Sequence, residues 1–248
     1  MSFEIYKSDC MEYLKSVKDC TFDCVVTSPP YNKGNVGTTG SANGVWDSFI
    51  DYDNYIDDME QEEYESWQVD ILNEMGRCLK PTGSIFYNHK IVRREGSCIF
   101  PEYIFKTNLN LYQMIIWDRG NSPDIGNRHL LPTTELIFWL TKDTPKVFRN
   151  NAMYRSEVWK FPPSKKNGHP ASFPLELPYN CILLTTEEGD LVYDPFVGSG
   201  TTGVAACKLK RNFIGTDISD KYVEMSKTNI AQGTTTSSGI DNKNFKLF

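Results

Sequence analysis

Short apolar runs alternate with amphipathic stretches along the chain, and the alternation predicts strands and helices in turn. Residues 5–6 read as a short strand ending at Ser8-Asp9, with a helix over 11–17 behind it. Phe22-Asp23-Cys24-Val25-Val26-Thr27 is an almost continuous apolar run of strand length, the pattern of a strand covered on both faces. Over 62–79 the apolar positions Trp67, Ile71, Met75 and Leu79 recur four residues apart, which predicts a helix stopped by Pro81-Thr82-Gly83. Residues 84–88, 111–117 and 135–140 carry the β-branched and aromatic side chains of strands. The last third reads strand (191–193), glycine-rich turn, helix (202–209), strand (213–216) and helix (221–230). This order predicts an α/β fold with a doubly wound, mostly parallel sheet in a single domain over 1–232.

Three segments break the rhythm. Residues 33–58 hold Gly34, Gly37, Gly40 and Gly44 among Thr, Ser and Asn, and read as a long mobile loop of the kind that acts as a lid. Residues 142–170 are basic, proline-containing and irregular. The end, 233–248, is low-complexity and is expected to be disordered.

Composition is that of an ordinary globular protein: 248 residues, 40% hydrophobic, 23% charged, net charge −6. No apolar stretch is long enough to span a membrane, and no membrane partner is expected. The seven cysteines and three histidines show no ligand spacing. That argues for reduced thiols, a cytoplasmic location and no metal site. The charge is segregated: 1–79 holds 5 basic and 16 acidic residues, 80–170 holds 14 and 7, and 171–248 holds 7 and 9. A middle segment with the whole positive excess suits a polyanion such as double-stranded DNA.

Two motifs carry the chemistry. Ser28-Pro29-Pro30-Tyr31 follows the apolar run at 22–27. A residue before proline is held extended, and proline has no N–H, so such a turn offers a hydroxyl, outward carbonyls and an aromatic face together. A serine oxygen and a proline carbonyl can accept both hydrogens of an exocyclic amine, favouring a tetrahedral nitrogen able to attack a methyl group. The second motif, Gly198-Ser199-Gly200-Thr201-Thr202-Gly203, fits G-x-G-x-x-G between a strand and a helix, and Asp217 closes the next strand. This is a nucleotide-type site in which glycines admit close backbone approach. A nicotinamide oxidoreductase is the distant alternative. Asp194-Pro195-Phe196 ahead of the glycines and the 45 residues after Gly203 count against it. A DNA-binding module without activity is the third reading.

Taken together, the motifs resemble the beta-group exocyclic-amino DNA methyltransferases, whose catalytic motif precedes the cofactor motif in a circularly permuted order. The resemblance rests on Ser8-Asp9-Cys10, Thr27 to Asn32, Leu79 to Ser84, Trp117 with Glu135 to Trp139, His169 to Pro174, Asp194 to Thr202, and Ile214 to Ile218. It implies a Rossmann-like fold and S-adenosyl-L-methionine as cofactor. It implies Ser28, Pro29, Pro30 and Tyr31 as the catalytic motif. Asp194, Phe196, Gly198, Gly200, Thr201 and Thr202 would hold the cofactor's methionine end. Asp217 would take the ribose hydroxyls and Asp9 would sit by the adenine amino group, with Cys10 and Ile218 also among the cofactor-binding residues. His169, Pro170, Phe173 and Pro174 would pack on the methionine portion. Serine at the motif's head is associated mainly with cytosine N4 and aspartate with adenine N6, while Asn32 is frequent among adenine enzymes. Cytosine N4 is favoured and adenine N6 is the alternative.

The target base must be flipped out of the duplex to reach such a site. Asn32, Lys90, Arg93, Arg94, Arg119, Arg128, His129, Lys165 and Lys166 are the candidate DNA contacts. Residues 141–168, where relatives carry a target-recognition insert, are too few for an independent domain. Recognition would then use a short motif, loop 33–58, a homodimer or another partner; a cognate restriction endonuclease would fit such an enzyme.

Overall fold

The computed structural model describes residues 1–32, 57–94, 97–120, 130–149, 151, 153–164 and 173–235. Their elements run β1 (Phe3–Lys7), α1 (Cys10–Ser16), β2 (Phe22–Thr27), α2 (Gln61–Cys78), β3 (Leu79–His89), β4 (Val92–Arg94), β5 (Ser97–Ile99), β6 (Asn110–Asp118) and β7 (Thr134–Thr141). Then come β8 (Val158–Lys160), α3 (Glu176–Thr185), β9 (Leu191–Asp194), α4 (Thr201–Lys208), β10 (Asn212–Asp217) and α5 (Asp220–Thr235). Eight strands form one sheet in the order β1-β10-β9-β2-β3-β7-β6-β8, and β4 pairs with β5 apart from it. From β1 to β3 every pairing is parallel. β7 and β6 then add antiparallel, and β8 joins β6 in parallel. The expected doubly wound, mostly parallel sheet is therefore present, with an antiparallel arm.

The helices divide between the two faces. Leu14 of α1 and Ile71, Leu72 and Met75 of α2 pack with Phe22, Val25 and Ile85 on one face. Leu177, Ile182, Ala205, Ala206 and Ile230, from α3, α4 and α5, pack with Val26, Phe86 and Val192 on the other. Each fully buried Leu, Ile or Met contributes about 1.5–3 kcal/mol of transfer free energy. All six residues of β2 are buried, as its apolar run implies for a central strand. Its one charge, Asp23, is met by Lys80 Nζ at 2.8 and 2.7 Å and by Leu191 N at 3.0 Å.

β9 and β2 are neighbours, but the chain leaves them in opposite directions: β9 leads through α4 to β10, and β2 leads through α2 to β3. The crossovers diverge, so a crevice opens at the carboxyl edge between these strands.

Four expectations change. Pro81-Thr82-Gly83 lies within β3, where the register jumps from Phe22↔Leu79 to Cys24↔Ser84; the helix ends at Cys78 and a bulge absorbs the proline. α3 has no apolar stripe for a periodicity to find, because it is buried almost all round, and Pro178 sits in its first turn, where proline is tolerated. α5 continues through Thr235, so the expected tail at 233–248 begins inside a helix; the rest of it lies outside the described residues. The described part of 141–168 is packed, not merely irregular: β8 extends the sheet, Trp159 and Phe161 enter the core, and Phe148 N bonds Leu184 O at 2.7 Å. Loop residues 33–56 lie outside the described residues. Among the described residues no helix is long and apolar enough to cross a membrane, and no group of His, Cys, Asp and Glu could hold a metal ion.

Candidate active site

A cavity of about 220 Å³ opens at the carboxyl edge of β9 and β2. Ser28, Pro29, Pro30 and Tyr31 line one end of it, and Asp9, Cys10, Asp217 and Ile218 line another. The two motifs, remote in sequence, thus border one space. Phe173, Phe196, Gly198 and Thr201 line it as well.

The acidic end is organised by backbone donors. Asp9 caps α1, its Oδ1 accepting from Met11 N (2.8 Å) and Glu12 N (3.1 Å), as a helix N-terminus favours. Asp217 ends β10 and accepts Gly198 N at 3.1 Å and Ser219 N at 3.0 Å. The carboxylate of one strand end thereby holds the first glycine of the turn. Burial pushes the Cys10 thiol well above its ordinary range, so Cys10 is an apolar wall rather than a nucleophile. Trp67 of α2 and Phe196 meet edge to face at 6.0 Å between ring centroids and form an aromatic wall.

Several expected cofactor ligands also serve the frame. Asp194 is only 1% exposed. Its Oδ1 takes Thr27 Oγ1 at 2.7 Å and Phe196 N at 3.1 Å, and its Oδ2 takes Thr202 Oγ1 at 2.7 Å. Asp194 and Thr202 therefore brace the end of β2 against β9 and α4, although Asp194 also reaches the cavity edge. Desolvation raises the Asp194 carboxyl to about 6, with the three donors pulling the other way. Gly200 has φ of +83°, and a Cβ there would sit 3.0 Å from Ser226 Cα. A Cβ on Gly203 would come within 2.4 Å of Ile230 Cδ1 and 2.7 Å of Phe213 Cε1. These two glycines admit α5 and β10; among the three, only Gly198 lines the cavity. Pro174 is buried at the head of α3, away from the cavity lining. His169 and Pro170 lie outside the described residues.

The Ser28–Tyr31 turn is held by residues that the sequence reading did not single out, together with Arg119, which it took for a DNA contact. Tyr64 Oη donates to Pro30 O at 2.8 Å, which leaves Pro29 as the proline whose carbonyl no donor reaches among the described residues. Ser28 Oγ lies 2.6 Å from Tyr31 Oη. Asn88 Nδ2 donates to Tyr31 Oη and to Glu135 Oε2, both at 2.9 Å, and Arg119 Nη1 meets Glu135 Oε1 at 3.0 Å. The Tyr31 ring packs on His89 at 4.8 Å between centroids. Asn88 and His89 end β3, Glu135 opens β7 and Arg119 follows β6, so the antiparallel arm delivers all of them to the same edge. A faint signal was present: Glu135 is the one charged residue heading an otherwise apolar strand.

Of the expected DNA contacts, Asn32 and Arg119 are redirected. Asn32 is 2% exposed with φ of +51°. Its amide donates to Met59 O (2.9 Å), and its Oδ1 accepts Met59 N (2.7 Å), so it pins the chain that returns from 33–56. Arg119 is committed to Glu135. Lys90 is half-buried after β3, and Arg93 and Arg94 lie in β4. Arg128, His129, Lys165 and Lys166 lie outside the described residues. The basic middle segment is partly neutralised within the fold: Lys80 pairs with Asp23, Lys106 with Glu65, Lys146 with Glu187 and Lys160 with Asp118.

Comparison with known proteins agrees with this geometry. The model of the N6/N4 DNA methylase family matches residues 22–228. Type II methyltransferase M.BglII of Bacillus subtilis is 30% identical over 264 residues, spanning 90% of this chain and 67% of that one. Type II methyltransferase M2.MboI of Moraxella bovis is 28% identical over 250 residues, spanning 91% and 86%. Among solved structures, the cytosine-N4-specific PvuII DNA methyltransferase superposes with a TM-score of 0.73 at 22% identity, covering 99% of this chain and 90% of that one. The M1.HpyAVI–SAM complex superposes with a TM-score of 0.65 at 22% identity, covering 92% and 98%. With the catalytic turn and the glycine-rich turn facing one cavity in the expected order, the chain belongs to the N6/N4 family of DNA methylases.

Proposed function

We propose that the protein transfers a methyl group from S-adenosyl-L-methionine to the exocyclic amine of a base flipped out of double-stranded DNA, with cytosine N4 as the favoured acceptor. The observation that carries this reading is the single cavity bordered by the Ser28 turn and by the Asp9 and Asp217 carboxylates. The lining fits the cofactor. Asp217 suits ribose hydroxyls, Asp9 an adenine amino group, and Trp67 and Phe196 a flat ring. Bound there, S-adenosyl-L-methionine supplies an electrophilic methyl group.

The chain's own part is to present the amine. Ser28 Oγ and the Pro29 carbonyl accept its two hydrogens and draw the nitrogen lone pair out of the ring plane. Tyr31, fixed by Asn88 and His89, limits the orientation of the base. The lean to cytosine rests on the family association of serine at the head of the motif; as a neutral acceptor, serine can bond either amine. Asn32, the residue that pointed toward adenine, has its amide committed to Met59.

Nucleoside mass spectrometry of DNA methylated by the purified protein tests the reading. N4-methylcytosine is expected. N6-methyladenine alone would overturn the choice of base, and methyl groups on RNA alone would overturn the choice of substrate.

A further inference from the structure

An amine that gains a methyl group holds one proton too many, and a serine hydroxyl is no base for it near neutral pH. The carboxylate nearest the catalytic turn through hydrogen bonds is Glu135, on a strand 104 residues from Tyr31. We infer that Ser28, Tyr31 and Glu135 form a proton path that ends on the Glu135 carboxylate; this rests on the amine-methylation reading above.

The distances give the path a direction. Ser28 Oγ and Tyr31 Oη are 2.6 Å apart, and Tyr31 Oη reaches Glu135 Oε2 at 3.5 Å. Asn88 Nδ2 donates to both Tyr31 Oη and Glu135 Oε2, which draws the two groups together. With Asn88 filling one lone pair of Tyr31, the phenol accepts Ser28 O–H on the other and points its own proton at Glu135. Ser28 then turns both of its lone pairs away from Tyr31, where an amine hydrogen can meet one. Arg119 holds the opposite carboxylate oxygen, and Glu135 is 9% exposed, so bulk water is largely kept from the path. Asn88 Oδ1 is buried with no partner among the described residues. Turning the amide round would set that oxygen against the Glu135 carboxylate, acceptor facing acceptor, so the Nδ2 end points at the path.

The step balances. As the new N–C bond forms, the methyl–sulfur bond breaks with its electron pair going to sulfur, and one N–H bond breaks with its electron pair staying on nitrogen. That proton goes to Ser28 Oγ, the Ser28 proton to Tyr31 Oη, and the Tyr31 proton to Glu135 Oε2. The amine leaves neutral, the carboxylate becomes a carboxylic acid, and the positive charge that entered with the methyl group is cancelled. Tyr31, Arg119 and His89 are the titratable groups packed about this carboxylate. His89 bonds Tyr64 Oη at 3.1 Å and Lys90 O at 2.7 Å.

The test uses the full chain carrying Glu135→Gln, Tyr31→Phe, both together, or Glu135→Asp. Single-turnover methylation of DNA is followed alongside cofactor binding by tryptophan fluorescence and thermal melting. Each single change is expected to slow transfer about 100-fold or more, with cofactor affinity and melting nearly unchanged. The double variant should be no slower than the worse single one, because both break the same path. Glu135→Asp, which keeps a carboxylate, should recover part of the rate that Glu135→Gln loses. Tyr31→Phe leaves the ion pair with Arg119 intact and so separates a broken path from a broken fold. Unchanged rates, multiplying losses in the double variant, a Glu135→Asp rate no better than that of Glu135→Gln, or binding lost in step with rate would each overturn the path. A wild type that methylates no DNA would instead overturn the reading on which it rests.

Discussion

The two ends of the cavity are built by different means. At the end proposed for the cofactor, β10, β9 and β1 present backbone: Gly198 N and Ser219 N on Asp217, and the α1 amides on Asp9. At the end proposed for catalysis, side chains bond side chains, with Ser28, Tyr31, Asn88, Glu135 and Arg119 converging from separate strands. The first arrangement depends on how closely main chains approach one another, and the second on which functional groups are present. The cofactor end should therefore be sensitive to an added Cβ, and the catalytic end to a lost heteroatom.

The sharpest break is Ser28→Ala. It removes a hydroxyl aimed at the amine and leaves the cofactor end intact, so transfer should fall by roughly 100- to 1,000-fold, with cofactor binding by fluorescence unchanged. An equal loss of binding would mean that the two ends are not separable. Asp217→Ala strikes the other end. Removing a charged acceptor should weaken cofactor affinity about 10- to 100-fold, read by the same fluorescence titration. Retention of wild-type affinity would place the ribose elsewhere.

Gly203→Val tests close approach alone. Its side chain would collide with Ile230 and Phe213, and overpacking of this kind costs about 1–3 kcal/mol. The urea midpoint should drop accordingly, whereas the cavity lining is untouched. No change in the midpoint would show that α4 and α5 pack more loosely than the 2.4 Å approach implies.

The smallest effect concerns the brace between the two ends. The Asp194 carboxyl is raised from 3.8 to about 6, so the folded chain holds that proton more tightly than the unfolded one does. Its contribution to stability is full below about pH 4 and is lost as pH rises through about 6. Asp194→Asn keeps an acceptor for Thr27 and lets Thr202 turn to Val26 O, which it already approaches at 3.4 Å. Near pH 8 the variant should match or exceed the wild type by roughly 1–3 kcal/mol, and at pH 4 the two should agree more closely. A deficit at pH 8 that disappears at pH 4 would mean that the brace needs the charge.

The same contrast explains what could be read from the residues in order. Strand and helix periods, the two turns and their order lie in contiguous sequence, so β2, β9, α4 and β10 were legible with their ends nearly right. α3 was not, because a helix buried on most of its surface has no stripe. Asn88, Glu135 and Arg119 carry no local motif, and their meaning comes from register: β3 pairs antiparallel with β7, and β7 with β6, which brings three strand ends beside Ser28. Motif glycines looked alike in sequence, yet Gly198 meets the cavity while Gly200 and Gly203 meet helix α5 and strand β10. Local sequence determined the elements, the permuted order and the chemistry of each turn, because backbone preferences and hydrophobic period act over a few residues. The tertiary structure decided which polar groups face ligand and which face one another. That choice depends on which strand ends are packed side by side, and burial demands a partner from whatever lies there.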